Sequence, residues 1–253
     1  MTRVIGIMSG KGGVGKTTVT ANLAVCLAQL GKEVIIVDCN ISTSHLALYF
    51  GIHDYSVTIN DVLKGKYEIY DAIYEHKSGV KIIPASLSSH SMIGVDIVNL
   101  RKKIKDVLGM ADFVLLDSAP GFGRETMGTL LASSEVLLVA NPNFMSVVDV
   151  MRVKDVLNEY NVKLTGLVVN MYKKKYRMKI EEIEEMCDIP ILSVIPHDDE
   201  VARSLFFKIP VVLLNPNASS SKKFKELAKK LCGIEEEERS IIDKIARFLL
   251  RLE

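Results

Sequence analysis

Ten residues near the start of the chain, Ser9-Gly10-Lys11-Gly12-Gly13-Val14-Gly15-Lys16-Thr17-Thr18, hold four glycines, two lysines and two threonines. The spacing Gly10-x-x-x-x-Gly15-Lys16-Thr17 is that of a phosphate-binding loop. Glycines let successive backbone N–H groups turn inward onto phosphate oxygens, and a helix starting at the loop's end adds its positive N-terminus. In such a loop Lys16 reaches the β- and γ-phosphates and the Thr17 hydroxyl takes a place on magnesium. Lys11 is surplus to that pattern, so the loop carries one more cation than phosphate binding alone requires.

The loop works only between a strand and a helix, and the flanking sequence supplies both. Apolar runs rich in Val, Ile and Leu predict strands at 3–8, 33–37, 80–83, 112–116, 135–139, 164–169 and 191–195. Helical patterns between them predict helices at 16–30, 95–109, 124–132, 146–159, 178–187, 199–206 and 218–231. Strand and helix in alternation imply an α/β fold: a single P-loop NTPase domain with a mostly parallel β-sheet and helices on both faces. Ligands of open α/β sheets gather at the carboxyl ends of the strands. Asp117 ends the apolar run Phe113-Val114-Leu115-Leu116, which places a carboxylate where a magnesium-bound water can be held.

Composition narrows the function classes. A chain of 253 residues with 48% hydrophobic and 25% charged residues can bury one sizeable core and is not disordered. Its net charge of +1 argues against a nucleic-acid binder that works through overall positive charge. Cys26, Cys39, Cys187 and Cys232 are far apart with no C-x-x-C, so neither a zinc site nor a disulfide framework is expected. No signal peptide or bilayer-spanning run is read, and a cytoplasmic protein is expected.

The loop K-G-G-V-G-K-T-T, the strand end V-D-C-N, the segment D-S-A-P-G-F-G-R-E and the stretch V-V-N-M-Y together resemble the MinD/ParA family of deviant Walker ATPases. Order and spacing agree over roughly 2–232, and the chain looks most similar to MinD-like cell-division ATPases of archaeal type. The resemblance implies ATP and Mg2+ as cofactors and an ATP-dependent homodimer. Gly10, Lys11, Gly12, Gly13, Val14, Gly15, Lys16, Thr17, Thr18 and Asn170 would bind the nucleotide, with Asn170 on the adenine. Lys11 would be the signature lysine that reaches the partner subunit's phosphates. Thr17, Asp38 and Asp117 would serve the metal, Asp38 and Asp117 in the first and second switch segments. Lys11, Lys16, Asp38 and position 40 would be the catalytic set, and Asp149 would hold the signature lysine in the monomer.

Two positions depart from that pattern. The family's first switch reads Asp-x-Asp, whereas this chain has Asp38-Cys39-Asn40. Asparagine takes no proton, although its carbonyl oxygen can accept a hydrogen bond from water. Asn40 is therefore either natural, giving a slow ATPase, or an introduced Asp→Asn change that traps ATP in a dimer. Asn143 stands where MinD-like chains often have glutamate, which leaves a cross-dimer ribose contact there in doubt.

The reading divides the chain into a domain at 1–234, an acidic linker at 235–239 and an amphipathic membrane-targeting helix at 240–253. At 100° per residue, Ile241, Ile242, Ile245, Phe248, Leu249 and Leu252 share one face opposite Lys244, Arg247 and Arg251, with Leu250 as the exception. A helix packed back on the domain is the alternative. The expected function is an ATPase that cycles on and off the inner face of the cell membrane and answers to a regulatory protein. A ParA-type protein that binds DNA non-specifically is the competing expectation. The basic run Lys173-Lys174-Lys175-Tyr176-Arg177 is read as a solvated loop.

Overall fold

The computed structural model describes residues 1–173, 175 and 177–234. The expected acidic linker at 235–239 and amphipathic segment at 240–253 lie outside the described residues, as do Lys174 and Tyr176 of the basic run.

Eight strands form one sheet: β1 (Arg3–Met8), β2 (Val34–Asp38), β3 (Tyr74–Glu75), β4 (Val80–Ile83), β5 (Phe113–Asp117), β6 (Glu135–Ala140), β7 (Lys163–Tyr172) and β8 (Ile191–Pro196). Their order is β3-β4-β2-β5-β1-β6-β7-β8. Every pairing is parallel except β3 with β4, the short antiparallel edge. The helices are α1 (Lys16–Gln29), α2 (Leu46–Tyr49), α3 (Ile59–Leu63), α4 (Leu100–Asp106), α5 (Arg124–Ala132), α6 (Phe144–Glu159), α7 (Ile180–Cys187), α8 (Asp199–Phe207), α9 (Val211–Leu214) and α10 (Ser219–Leu231).

Alternation along each strand sends side chains to two buried layers. Ile5 and Ile7 of β1 join Leu23, Leu27, Phe224 and Leu227 beneath α1 and α10. On the other face Val4 packs toward α3 and α4, and Met8 toward α6 and α7. Both faces are covered, which is why the strands read as unbroken apolar runs. No helix among the described residues is long and apolar enough to cross a membrane.

The helix expected over 95–109 is shorter. Gly94 sits in the left-handed region, Asp96 accepts from the Val98 N–H at 3.2 Å, and a 3-10 turn over Ile97–Asn99 precedes α4. The chain there is bent before the α-helix begins.

An ion pair with a buried carboxylate ties β1 to β6 at the amino ends of these two central strands. Arg3 donates to both Glu135 oxygens, at 2.7 and 2.9 Å, and to the Leu231 carbonyl at the end of α10. Burial pushes the Glu135 carboxyl up, but Arg3, Thr165 and Lys163 together hold it below the ordinary carboxylate range. A depressed carboxyl stabilises the fold above its unfolded pKa, and that stabilisation is lost as pH falls through the folded value. Arg3→Met strands a buried carboxylate, so we expect a loss of about 2–4 kcal/mol at pH 7, at the lower end for buried pairs because Thr165 and Lys163 remain. Denaturant melts should show the deficit shrinking below pH 4; a constant deficit would mean packing alone was lost.

Candidate active site

The glycine-rich loop leaves β1 at its carboxyl end and enters α1 at Lys16. Gly13 and Gly15 hold φ of +77° and +92°, a conformation that a side chain strains. Space forbids a side chain as well at Gly15, whose Cβ would stand 2.3 Å from the Asn170 amide nitrogen, and at Gly10, where it would stand 2.5 Å from the Asp149 Cβ. The loop is thus wedged between α6 and the end of β7. Around Gly13 nothing lies within 4 Å of where a Cβ would be, so that side is open to a ligand.

The two lysines sit differently. Lys16 is buried, its Nζ donating to the Ser9 hydroxyl at 3.0 Å, while that hydroxyl donates to the Lys11 carbonyl at 2.7 Å. Burial lowers the Lys16 pKa, and Asp117 opposes the shift. Lys11 is half-exposed, and its ammonium has no ion pair among the described residues.

Asp38 and Asp117 end adjacent strands in register with each other, and both are buried. Asp117 accepts from Thr17 Oγ1 at 2.7 Å and from Thr20 Oγ1 at 3.1 Å. Asp38 accepts from Ser44 Oγ at 2.7 Å and from the N–H groups of Leu46 and Asn40, at 3.2 and 3.1 Å. Desolvation raises both carboxyls, and for Asp117 the neighbouring Asp38 charge adds to it. Two buried carboxylates abreast, beside a threonine hydroxyl, suit a hard divalent cation that keeps water and phosphate oxygens as its other ligands. Among the described residues no cluster of three or more His, Cys, Asp and Glu is placed to hold a metal. The thiols of Cys26, Cys39 and Cys187 are buried and free.

Asn40 closes its own loop: its amide donates to the Thr43 carbonyl at 2.9 Å, and Thr43 Oγ1 donates to its Oδ1 at 3.0 Å. Asn143 caps α6, accepting from the Ser146 N–H at 3.0 Å. Asp149 meets Arg152 at 3.4 Å rather than Lys11. Asn170 is buried and donates to the Val14 carbonyl at 2.8 Å, fixing the glycine loop to β7.

Beside that amide opens a cavity of about 170 Å³ that the sequence did not announce. Thr18, Asn170, Met171, Pro196, His197 and Asp198 line it together with the first turns of α8. Met171 has φ +56°, rare for a side chain of its size and a mark of a locally strained wall. Asp198 is held by the N–H of Glu200 and by Ser219 and Ser220 of α10. The one available signal was that Pro196 and His197 follow a strand's carboxyl end, where ligands gather. A flat, partly apolar group next to Thr18 would fill the space.

The ParA family, described as NUBPL iron-transfer P-loop NTPase, matches residues 1–232. An uncharacterized ATP-binding protein of Methanocaldococcus jannaschii is 33% identical over 92% of this chain and 89% of its own length. The septum site-determining protein MinD of Pyrococcus horikoshii, solved as a complex with Mg-ADP, superposes with a TM-score of 0.89 at 34% identity, covering 95% of this chain and 98% of that one. MinD in the MinC:MinD cell division protein complex of Aquifex aeolicus gives a TM-score of 0.81 at 27% identity, covering 92% and 96%.

Proposed function

The chain belongs to the MinD/ParA family of P-loop ATPases, and from that premise we propose that it is an ATP-switched, dimerising ATPase that positions division or other cell-envelope machinery. The observation that carries this reading is the division of labour between Lys16 and Lys11. Lys16 is drawn beneath its own loop onto Ser9, while Lys11 stands half-exposed with no ion pair among the described residues. A second loop cation aimed outward is useful when another subunit's phosphates face it.

In this reading the glycine-loop N–H groups and Lys16 hold the phosphates, Thr18 flanks the α-phosphate side, and the base occupies the cavity beside Asn170. Thr17, Asp38 and Asp117 hold Mg2+, which when bound neutralises charge on the β- and γ-oxygens. Lys11 reaches the partner subunit's phosphates. The protein is cytoplasmic and, as a dimer, binds the inner face of the membrane through 240–253. A regulatory protein partner fits the same reading, since a structural relative is solved as MinC:MinD.

Asn40 sets the turnover. Its reciprocal bonds with Thr43 use both ends of the amide, and an aspartate would face the Thr43 carbonyl with no proton to donate. Asn40→Asp should therefore open the loop and supply a stronger acceptor for water. We expect turnover to rise by about tenfold or more, roughly 1.4 kcal/mol off the barrier, with ATP affinity nearly unchanged. Steady-state ATPase assays beside nucleotide titrations test this. A rate within twofold would show that position 40 does not orient the attacking water.

A further inference from the structure

Two loops flank the carboxylate pair: 39–45 after β2, and 118–123 after β5. We propose that Glu125, in the first turn of α5, is the positioning residue that couples these two loops. The inference rests on the nucleotide-switch reading given above.

Ser42 Oγ donates to Glu125 Oε2 at 3.2 Å, joining residues 83 apart in the chain. The same carboxylate faces the N–H groups of Ile41 and Ser42. Glu125 therefore grips the tip of the first loop, next to the Asn40–Thr43 closure. Its own helix rides on the second loop: Thr126 Oγ1 donates to the Ala119 carbonyl at 3.2 Å, and the Met127 N–H to the Gly123 carbonyl at 3.0 Å. The second loop in turn touches the glycine loop, where the Gly121 N–H donates to the Ser9 carbonyl at 3.3 Å. Pro120 stands 3.8 Å from where a Cβ on Gly12 would be, against the phosphate loop. A displacement of 118–123 by a bound phosphate is thus carried by α5 to Glu125, and by Glu125 to Ser42 and Asn40.

A glutamate in a helix's first turn is favoured by the helix dipole alone. That preference is met in water and does not require the carboxylate to lie half-buried against another loop, where burial pushes its pKa up. The Ser42 bond is exposed and adds little stability. What the contact does is fix the distance between the loops.

Hydrogen exchange on the full chain, with Mg-ATP and without nucleotide, tests the coupling in Glu125→Ala, Ser42→Ala, the double variant and Glu125→Gln. Without nucleotide, both alanine variants should exchange the amides of 40–46 about fivefold faster, as expected for one hydrogen bond to a partly exposed carboxylate. The double variant should be no faster than Glu125→Ala alone, which also loses the contacts to the Ile41 and Ser42 N–H groups. Glu125→Gln, which keeps an acceptor oxygen, should remain within twofold of the parent. With Mg-ATP, residues 10–18 should gain protection in every variant, while 40–46 should gain it only in the parent and Glu125→Gln. Unchanged exchange at 40–46 in Glu125→Ala, or additive effects in the double variant, would overturn the proposal. Failure of ATP to protect 10–18 in the parent would instead sink the nucleotide reading, leaving the coupling judged by the nucleotide-free comparison.

Discussion

Lys16→Ala is expected to bind Mg-ATP and Mg-ADP about 10–100-fold more weakly than the parent chain, the loss of roughly 1.5–3 kcal/mol that hydrogen bonds to charged groups contribute. The fold should survive the change. Lys16 opens α1, where alanine is the better helix former, and among the described residues its buried ammonium has only the Ser9 hydroxyl as a hydrogen-bond partner. Burial already lowers its pKa, so removing it relieves a desolvation cost in the nucleotide-free protein. The two effects separate in a thermal melt. The nucleotide-free variant should melt close to the parent, the relieved desolvation being offset by the lost Lys16–Asp117 attraction. Nucleotide at 100 times the parent's dissociation constant stabilises the parent by about 2.7 kcal/mol, of which roughly half should vanish in the variant at tenfold weaker binding and most of it at 100-fold. An equal nucleotide-induced shift in both proteins would remove Lys16 from the phosphate site.

The second large effect concerns the end of the chain. Deleting 240–253 should abolish sedimentation with anionic liposomes and leave nucleotide binding intact. If 240–253 is helical, Ile241, Ile242, Ile245, Phe248, Leu249 and Leu252 would share one apolar stripe, with Lys244, Arg247 and Arg251 on the side that would meet anionic headgroups. Each large side chain contributes about 1.5–3 kcal/mol when fully buried. Interfacial burial is partial, however, and a 14-residue helix is marginal in water, so ordering offsets much of the gain. One tail should bind weakly, and two tails on one dimer would gain roughly 10²–10⁴ in avidity. ATP should therefore promote liposome binding and ADP should not. Truncated protein that still pellets with liposomes would leave the helix packed on the domain as the better reading, and ATP-dependent pelleting with DNA would favour the ParA-type alternative.

What was legible in the sequence is what is local. The glycine loop and Asp117 each lie within a few residues of an apolar run, and the parallel sheet brings those runs side by side; Asp38 comes from the family resemblance, and the sheet sets it in register with Asp117. The long helices were legible for the same reason, since α1, α6 and α10 carry their patterns over 13–16 residues. Helices α2, α3 and α9, of four or five residues, are too short to show a period. The cavity beside Asn170 was illegible because it needs Met171 in a left-handed conformation and the start of α8 facing the carboxyl ends of β7 and β8. The Glu125–Ser42 contact depends on how two loops meet across 83 residues. Asn170 shows both sides. The family resemblance points to it, yet its bond to the Val14 carbonyl belongs to the packed state alone.

The central claim is that a γ-phosphate brings two copies of this chain together through Lys11. Multi-angle light scattering of the parent chain and Lys11→Ala, each with Mg-ATP and with Mg-ADP, tests it most directly. The account predicts twice the monomer mass for the parent chain with ATP alone, and monomer mass in the other three samples, with Lys11→Ala still binding nucleotide. The same mass for the parent chain with ATP and with ADP, or an ATP dimer that persists in Lys11→Ala, would contradict it.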